Sequence, residues 1–446
     1  VASTASPSPA LSLNREILRL AVPALGALVA EPAFLILDSV MVGHLGTSPL
    51  AGLGIASAVL QTIVGLMIFL AYSTTPAVAR RFGAGKPGDA VSVGIDGMWF
   101  ALGLGAVLAV AGSLASPALV AAFGASDAVS AEAQTYLTIS MWGLPAMLIV
   151  FAATGLLRGM QDTMTPLWIA GLGFGANALL NWIFIYGLGW GIAGSAFGTV
   201  AAQWGMVAAY VVVIRRLALK HGASMRAQRN GIRGTARSGG WLFLRTVSLR
   251  VALLATVGVA TGIGTQELAG WQIAFTIFST AAFALDALAI AAQAMIGRSL
   301  GSGDVAQVHR VLRRTVAWGA WFGVIVGAVI AALSGVMGIV FTGDAEIGAL
   351  VQPAFLVLAV AQPIAGIVFV LDGVLMGAND ARYLAIAGLL NLVPFLPVLW
   401  IIAATGVDGS AGLVWLAVAF FGVYLLARLG TLGWRVRTDA WTRIAA

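Results

Sequence analysis

The fold class this sequence predicts is an all-α integral membrane protein, with twelve transmembrane helices arranged as two parallel six-helix repeats, an N-lobe and a C-lobe, around a central cleft. Three observations predict it. Apolar windows long enough to cross a bilayer recur along the whole chain, basic residues occupy every second loop, and the second half repeats the first at a constant spacing.

The 446 residues are 60% hydrophobic and only 9% charged, and the mean hydropathy is +0.98. An ordinary soluble domain carries about 25% charged residues, so no soluble core accounts for this composition. A hydrocarbon layer roughly 30 Å thick is crossed by about 20 apolar residues in a helix. Runs such as Val316 to Leu333 are continuously apolar, whereas a β-barrel strand alternates over about ten residues. Helices must therefore span.

The predicted helices of the first half run over 20–43, 50–78, 91–122, 132–157, 166–187 and 192–214. Those of the second half run over 239–261, 268–296, 312–341, 350–375, 383–404 and 411–432. Residues 1–14 read as a disordered tail, 15–214 as the N-lobe, 215–238 as a linker rich in arginine, 239–437 as the C-lobe and 438–446 as a short C-terminal tail. The opening segment has no basic-then-apolar pattern of a cleaved signal.

The formal charge is +7, but the 24 Lys and Arg are spread over short loops rather than gathered on one face. Nucleic acid is therefore not an expected partner; membrane topology explains the charge. Loops after helices 2, 4, 6, 8 and 10 hold residues such as Arg80, Arg81, Lys86, Arg158, Arg298 and Arg382, while the alternate loops hold only acids such as Asp127, Glu132, Glu267, Asp344, Glu346 and Asp408. The positive-inside rule then places both termini in the cytoplasm, which requires an even number of spans. A bacterial inner membrane is the expected location. There is no cysteine, and His44, His221 and His309 stand far apart. No metal site or bound cofactor is expected.

The repeat has a spacing of 218 residues. Leu50-Ala51-Gly52 returns as Leu268-Ala269-Gly270, and Arg80, Gly83 and Gly85 return as Arg298, Gly301 and Gly303. Pro145, Gly155, Gly159 and Asp162 return as Pro363, Gly373, Gly377 and Asp380; after a short deletion Gly194-Ser195-Ala196 returns as Gly409-Ser410-Ala411. Six spans per half make the repeat parallel, and two such bundles facing a cleft suit alternating access by rocking.

Major facilitators share this plan, so the loop motifs discriminate. Ala79-Arg80-Arg81-Phe82-Gly83-Ala84-Gly85, echoed as Gly297-Arg298-Ser299-Leu300-Gly301-Ser302-Gly303, resembles the paired Gly-x-Gly turns of the multidrug and toxic compound extrusion (MATE) family. Asp38-Ser39-Val40-Met41-Val42-Gly43 and Gly155-Leu156-Leu157-Arg158-Gly159-Met160-Gln161-Asp162 are similar to motifs of its DNA-damage-inducible (DinF) branch. The resemblance spans about Ile17 to Arg435. It implies a cation-coupled antiporter, driven by a proton gradient more readily than by sodium, that exports small amphipathic organic compounds or drugs and acts as a monomer in the bilayer.

An ionisable side chain in hydrocarbon costs about 2.5–3.5 kcal/mol on insertion scales, so each asks for a reason. Helix 1 carries Glu31 and Asp38. Seven residues is nearly two turns, so both lie within about 20° of one face and can line one cavity. Pro32 removes a backbone donor beside Glu31 and favours a bend. A carboxylate withdrawn from water favours its neutral form, so Asp38 is suited to take up a proton on one side and release it on the other. The resemblance implies the same role for Asp38. Asn177 and Asn181 lie one turn apart on helix 5 and project together. Relatives often carry Asp at the second position, so Asn181 removes a charge and weakens the case for sodium.

Thr199 and Gln203 extend this polar lining, with ordinary interhelical hydrogen bonds as the alternative reading. The repeat sets Arg250 opposite the Glu31-Pro32 bend; it is expected either to meet Glu31 or Asp38, or an anionic part of a substrate, or to pair with Asp286 or Asp372 in its own half. Asp372 also fits a structural role at the inner end of helix 10. Tyr72, Trp182 and Phe275, with Trp142 and Phe278, are candidates for a cavity that takes flat amphipathic molecules. Two other functions have distinct sequence requirements. A flippase for lipid-linked sugars carries a strongly cationic cavity, for which only Arg250 and Arg245 are candidates. A membrane enzyme needs a clustered acid-base or metal set, which is absent from the sequence.

Overall fold

The computed structural model describes residues 9–342 and 345–443; the tail 1–8, Asp344 and the side chains of Glu31 and Glu346 lie outside the described residues. No strand occurs among the described residues. Twelve helices there are long and apolar enough to span: α1 (Leu13–Gly43), α2 (Thr47–Gly83), α3 (Pro87–Ala121), α4 (Asp127–Gly159), α5 (Met164–Gly187), α6 (Gly191–His221), α7 (Arg229–Ile263), α8 (Thr265–Gly301), α9 (Val305–Val336), α10 (Gly348–Gly377), α11 (Ala381–Thr405) and α12 (Gly409–Arg437).

Several helices outrun their apolar stretches. At 1.5 Å per residue, the 37 residues of α8 extend about 55 Å, well past the hydrocarbon. The expected linker shortens accordingly: α6 continues to His221 and α7 already begins at Arg229. Hydropathy marks where a helix is apolar, not where its backbone hydrogen bonds stop.

By packing, the chain divides into two units, Val22–Gly239 and the residues up to Ala21 together with Gly240–Ala446. In the first unit, the start of α7 is held by the Gln228 amide donating to Asp96 at 2.7 Å. Trp99 Nε1 donates to the Met225 carbonyl there at 3.0 Å. In the second unit, the start of α1 is held by Arg298 on Glu16 at 3.0 Å and by Arg314 on Asn14 at 2.6 Å.

Each unit is built around one deeply buried span, α4 in the first and α10 in the second, with 67% and 61% of their apolar windows buried. These two are counterparts in the repeat, and the contacts around them repeat as well. A Cβ on Gly155 of α4 would fall 2.8 Å from the carbonyl oxygen of Ala71, and one on Gly373 of α10 would fall 2.5 Å from that of Ala289. Ala71 and Ala289 stand at the repeat spacing. Backbones this close admit only hydrogen, as small-residue helix contacts in membranes require. The helix ends match too. Gln161 and Asn379, again repeat mates, adopt left-handed φ of 66° and 59° and let Asp162 and Asp380 donate their amides back to Leu157 and Leu375 at 2.8 and 3.0 Å, which closes each helix in a Schellman-like turn.

Two spans contain a π turn. α5 ends in a π turn over Ile183–Gly187, and α12 contains one over Val418–Tyr424. Such turns insert an extra residue per turn and shift the faces that follow.

Candidate functional site

Asp38 is 3% exposed and lies inside the first unit where α1, α4, α5 and α6 meet. Its Oδ1 accepts from Ser195 Oγ at 2.6 Å and from Asn181 Nδ2 at 2.8 Å. Its Oδ2 accepts from Tyr136 Oη at 3.3 Å. Asn181 Nδ2 is also 3.5 Å from Ser195 Oγ. Three donors from three helices thus converge on one carboxylate carried by a fourth. Removing such a charge from water is tolerable only with partners of this kind.

Local sequence explains each placement. α1 stays helical through Pro23 and Pro32, and Asp38 follows Pro32 by six residues, on the stretch where the missing Pro32 amide leaves the Leu28 carbonyl without its helical donor. Gly198 on α6 lets α5 approach: a Cβ there would fall 2.1 Å from Asn181 Oδ1. The π turn at the end of α5 carries Tyr186, whose hydroxyl donates to the Met41 carbonyl at 2.6 Å and fastens α5 to α1 one turn beyond Asp38.

Beside this carboxylate lies a cavity of about 110 Å³, lined among others by Phe34, Gln61, Tyr136, Asn177, Thr199 and Gln203. Phe34 and Phe174 stack across its wall with centroids 5.4 Å apart. The lining is mainly apolar, with a few convergent amides and hydroxyls. Asn177 Oδ1, Asn181 Oδ1 and Gln203 Oε1 are buried and without a hydrogen-bond partner among the described residues. Pockets that bury drug-sized ligands run from about 300 to 1,000 Å³, so this one is smaller than a drug-sized ligand requires. Tyr136 belongs to both sites: its hydroxyl reaches Asp38, and its side chain lines the cavity.

The structure brings Asp38, Asn177, Asn181, Thr199 and Gln203 into one neighbourhood. The side chain of Glu31 lies outside the described residues. Tyr72 is half-buried on α2 and Trp182 is 59% exposed on α5; neither lines this cavity. Phe275, Asp286, Arg250 and Asp372 belong to the second unit. Phe275 joins an aromatic cluster, 6.1 Å from Trp271 and 6.2 Å from Phe278. Asp286 is half-buried on α8, and Arg250 is half-buried on α7 without an ion pair among the described residues. Asp372 pairs with Arg245 and with Arg428, not with Arg250. Arg245 lies five residues, about 7.5 Å along the helix, from Arg250 and some 140° around it, which places it level with Asp372.

Two donors to Asp38 escaped sequence reasoning, Tyr136 and Ser195. Ser195 sits in the Gly-Ser-Ala segment that the repeat singles out, so a signal for it existed; a tyrosine on an apolar helix gave none. No group of three or more His, Cys, Asp or Glu is placed to hold a metal ion among the described residues.

Twelve spans in two repeats, with a buried carboxylate beside a mainly apolar cavity, define a polytopic membrane transporter rather than an enzyme. The chain belongs to the MatE family, whose profile matches twice, over residues 23–183 and 243–401, once in each half. It is similar to Protein DETOXIFICATION 44, chloroplastic, of Arabidopsis thaliana, with 30% identity over 98% of this chain and 85% of the relative. Similarity to DNA damage-inducible protein F of Escherichia coli (strain K12) is 25% over 83% of this chain and 82% of that protein. Among solved structures, the Vibrio cholerae MATE transporter VcmN in the bent form shares the fold with a TM-score of 0.86, at 20% identity over 97% of this chain and 99% of that one. A MOP superfamily transporter from Pyrococcus furiosus does so with a TM-score of 0.84, at 22% identity over 97% of both chains. The protein is thus a multi-pass MATE transporter, energised by an ion gradient rather than a bound cofactor.

Proposed function

We propose that this chain is a proton-coupled antiporter that exports amphipathic organic compounds by alternating access, with Asp38 as its coupling carboxylate. The observation that carries this reading is the sharing of Tyr136 between the Asp38 cluster and the cavity. As an anion, Asp38 accepts from all three neighbours. A proton on Oδ2 turns that oxygen into a donor, and the Tyr136 hydroxyl must then rotate and accept, while Asn181 and Ser195 keep their bonds to Oδ1. Protonation is thereby felt at the cavity wall, where a substrate's polar group competes for Tyr136, Asn177 or Gln203. Binding energy that differs between the two states is what couples them.

The reading favours a proton over sodium because Asp38 is the one carboxylate of the cluster among the described side chains, and Asn181, Ser195 and Tyr136 turn N–H and O–H donors toward it, whereas a hard-cation site gathers several oxygens and commonly more than one carboxylate. In this reading residues 15–214 and 239–437 act as two lobes. Both termini are cytoplasmic in a bacterial inner membrane, and the monomer is the working unit.

The test is efflux of a fluorescent organic cation such as ethidium from proteoliposomes under an imposed pH gradient, with and without sodium. Efflux that follows the pH gradient, ignores sodium and vanishes in Asp38→Asn supports the proposal. Sodium-driven efflux, or an active Asp38→Asn variant, removes Asp38 from the coupling role.

A further inference from the structure

The two units differ where their first and fifth spans end. In the first unit, Tyr186 at the end of α5 donates to the Met41 carbonyl of α1 at 2.6 Å. The turn that follows carries Trp190, whose ring lies 5.3 Å from Phe184 and 5.8 Å from Phe197. At the repeat spacing Met41 returns as Val259 on α7, and Tyr186 as Ala404 on α11. The turn after α11 is also three residues shorter, because Gly194-Ser195-Ala196 returns early, as Gly409-Ser410-Ala411. The hydroxyl that fastens α5 to α1, and the indole beside it, therefore have no counterpart between α11 and α7.

A groove of about 420 Å³ stands there instead, lined among others by Gly258, Val259 and Gly262 of α7, Ile402 of α11, and Val407 and Asp408 of the turn before α12. A Cβ on Gly258 or Gly262 would meet nothing within 4 Å, so the floor is open. From Ala255 to Ile263 the groove follows α7 for about 12 Å, close to half of a hydrocarbon layer roughly 30 Å thick. Its mouth lies in the turn between α11 and α12, and a turn between two spans emerges at the bilayer surface. Deeper along the same two helices, Leu254 and Trp400 are 66% and 71% exposed, so the face below the mouth meets hydrocarbon. The mouth itself is acidic. Asp408 holds the N-cap position of α12, where an aspartate ordinarily accepts from its own helix, yet its side chain makes no such bond. Glu267 of α8 serves that helix start, accepting from the Gly409 amide at 2.7 Å. The Asp408 carboxylate is exposed and has no hydrogen bond or ion pair among the described residues.

We propose that this groove holds one phospholipid with an ammonium headgroup, of the phosphatidylethanolamine class, its ammonium on Asp408 and one acyl chain along Gly258 and Gly262. The length of the groove is that of a single leaflet, its walls are apolar below the mouth, and the free carboxylate at the mouth attracts an ammonium and repels an anionic headgroup. The lipid fills the space that the missing tyrosine and the shortened turn leave, and fastens α7 to α11 as Tyr186 fastens α1 to α5. It is a structural ligand rather than cargo, and the proposal does not rest on Asp38 being the coupling residue.

The test uses the full chain, purified in detergent and stripped of lipid, then titrated with dioleoyl phosphatidylethanolamine or dioleoyl phosphatidylglycerol. Native mass spectrometry counts the lipids and the protein copies in each complex. One phosphatidylethanolamine is expected to bind about fivefold more tightly than phosphatidylglycerol, the margin of one charge at a membrane surface. Asp408→Asn keeps the lipid but removes that preference. Gly258→Leu fills the groove where space is open and removes the tight lipid whatever its headgroup. Asp38→Asn changes neither. Equal affinity for the two lipids in the wild type overturns the proposal, as does a preference retained in Asp408→Asn or wild-type phosphatidylethanolamine binding in Gly258→Leu. A dimer that Gly258→Leu dissociates would make a second copy of the chain the occupant and overturn it equally. Should Gly258→Leu fail to elute as a monodisperse protein, Ala403→Leu on the opposite wall decides in its place, and unchanged phosphatidylethanolamine binding there overturns the proposal.

Discussion

Substituting Gly198→Ala tests the Asp38 cluster without touching any of its polar groups. The new methyl would stand 2.1 Å from Asn181 Oδ1, 3.2 Å from its Cγ and 3.0 Å from its backbone nitrogen. No carbon approaches an oxygen so closely, so the Asn181 amide must swing away and its 2.8 Å bond to Asp38 Oδ1 is lost. A hydrogen bond to a charged group contributes about 1.5–3 kcal/mol, which corresponds to a roughly 10- to 150-fold change in the balance between states of the carboxylate. The expected result is a loss of about tenfold or more in the initial rate of pH-driven ethidium efflux from proteoliposomes. The same substitution made in an Asn181→Ala background meets no side-chain amide, only the backbone nitrogen at 3.0 Å, and costs less, so the two changes are non-additive. Wild-type efflux in Gly198→Ala, or an equal loss in both backgrounds, would refute the reasoning that α6 shapes the site through Asn181.

Further outcomes follow from other contacts. Asp372→Ala strands Arg245 and Arg428 in the second unit and is expected to destabilise by about 3–5 kcal/mol, read as a lowered thermal unfolding midpoint in detergent; an unchanged midpoint would mean the cluster is solvated. Gly155→Val and Gly373→Val both force side chains against backbone carbonyls at repeat-related contacts, and parallel losses of folded yield are expected on size-exclusion chromatography. Tyr186→Phe removes the hydroxyl that donates to Met41 and should slow efflux while leaving folding within about 1 kcal/mol of wild type. Because the chain lacks cysteine, Arg226→Cys and Ser130→Cys can be labelled singly in intact cells; a membrane-impermeant maleimide should reach Ser130→Cys and not Arg226→Cys, and the reverse pattern would invert the proposed topology.

The sequence by itself determined the class of the fold, because the physics involved is one-dimensional. A bilayer demands about twenty apolar residues per helix, topology follows loop charge, and a duplicated half keeps its glycines where backbones touch. Gly155 with Gly373, and Asp162 with Asp380, were legible as repeat mates before their packing was known. Asp38 was equally legible, since a carboxylate inside an apolar span announces its cost. What only the tertiary structure decided is who answers that charge. Tyr136 and Ser195 come from helices that cross α1 at heights no spacing rule supplies, and the π turn over Ile183–Gly187 changes the facing of the residues around Tyr186. The same holds for Asp372, whose partners proved to be Arg245 and Arg428 rather than Arg250: the repeat gives depth along a helix, but which side of that helix meets a neighbour is set by the packing of all the helices at once.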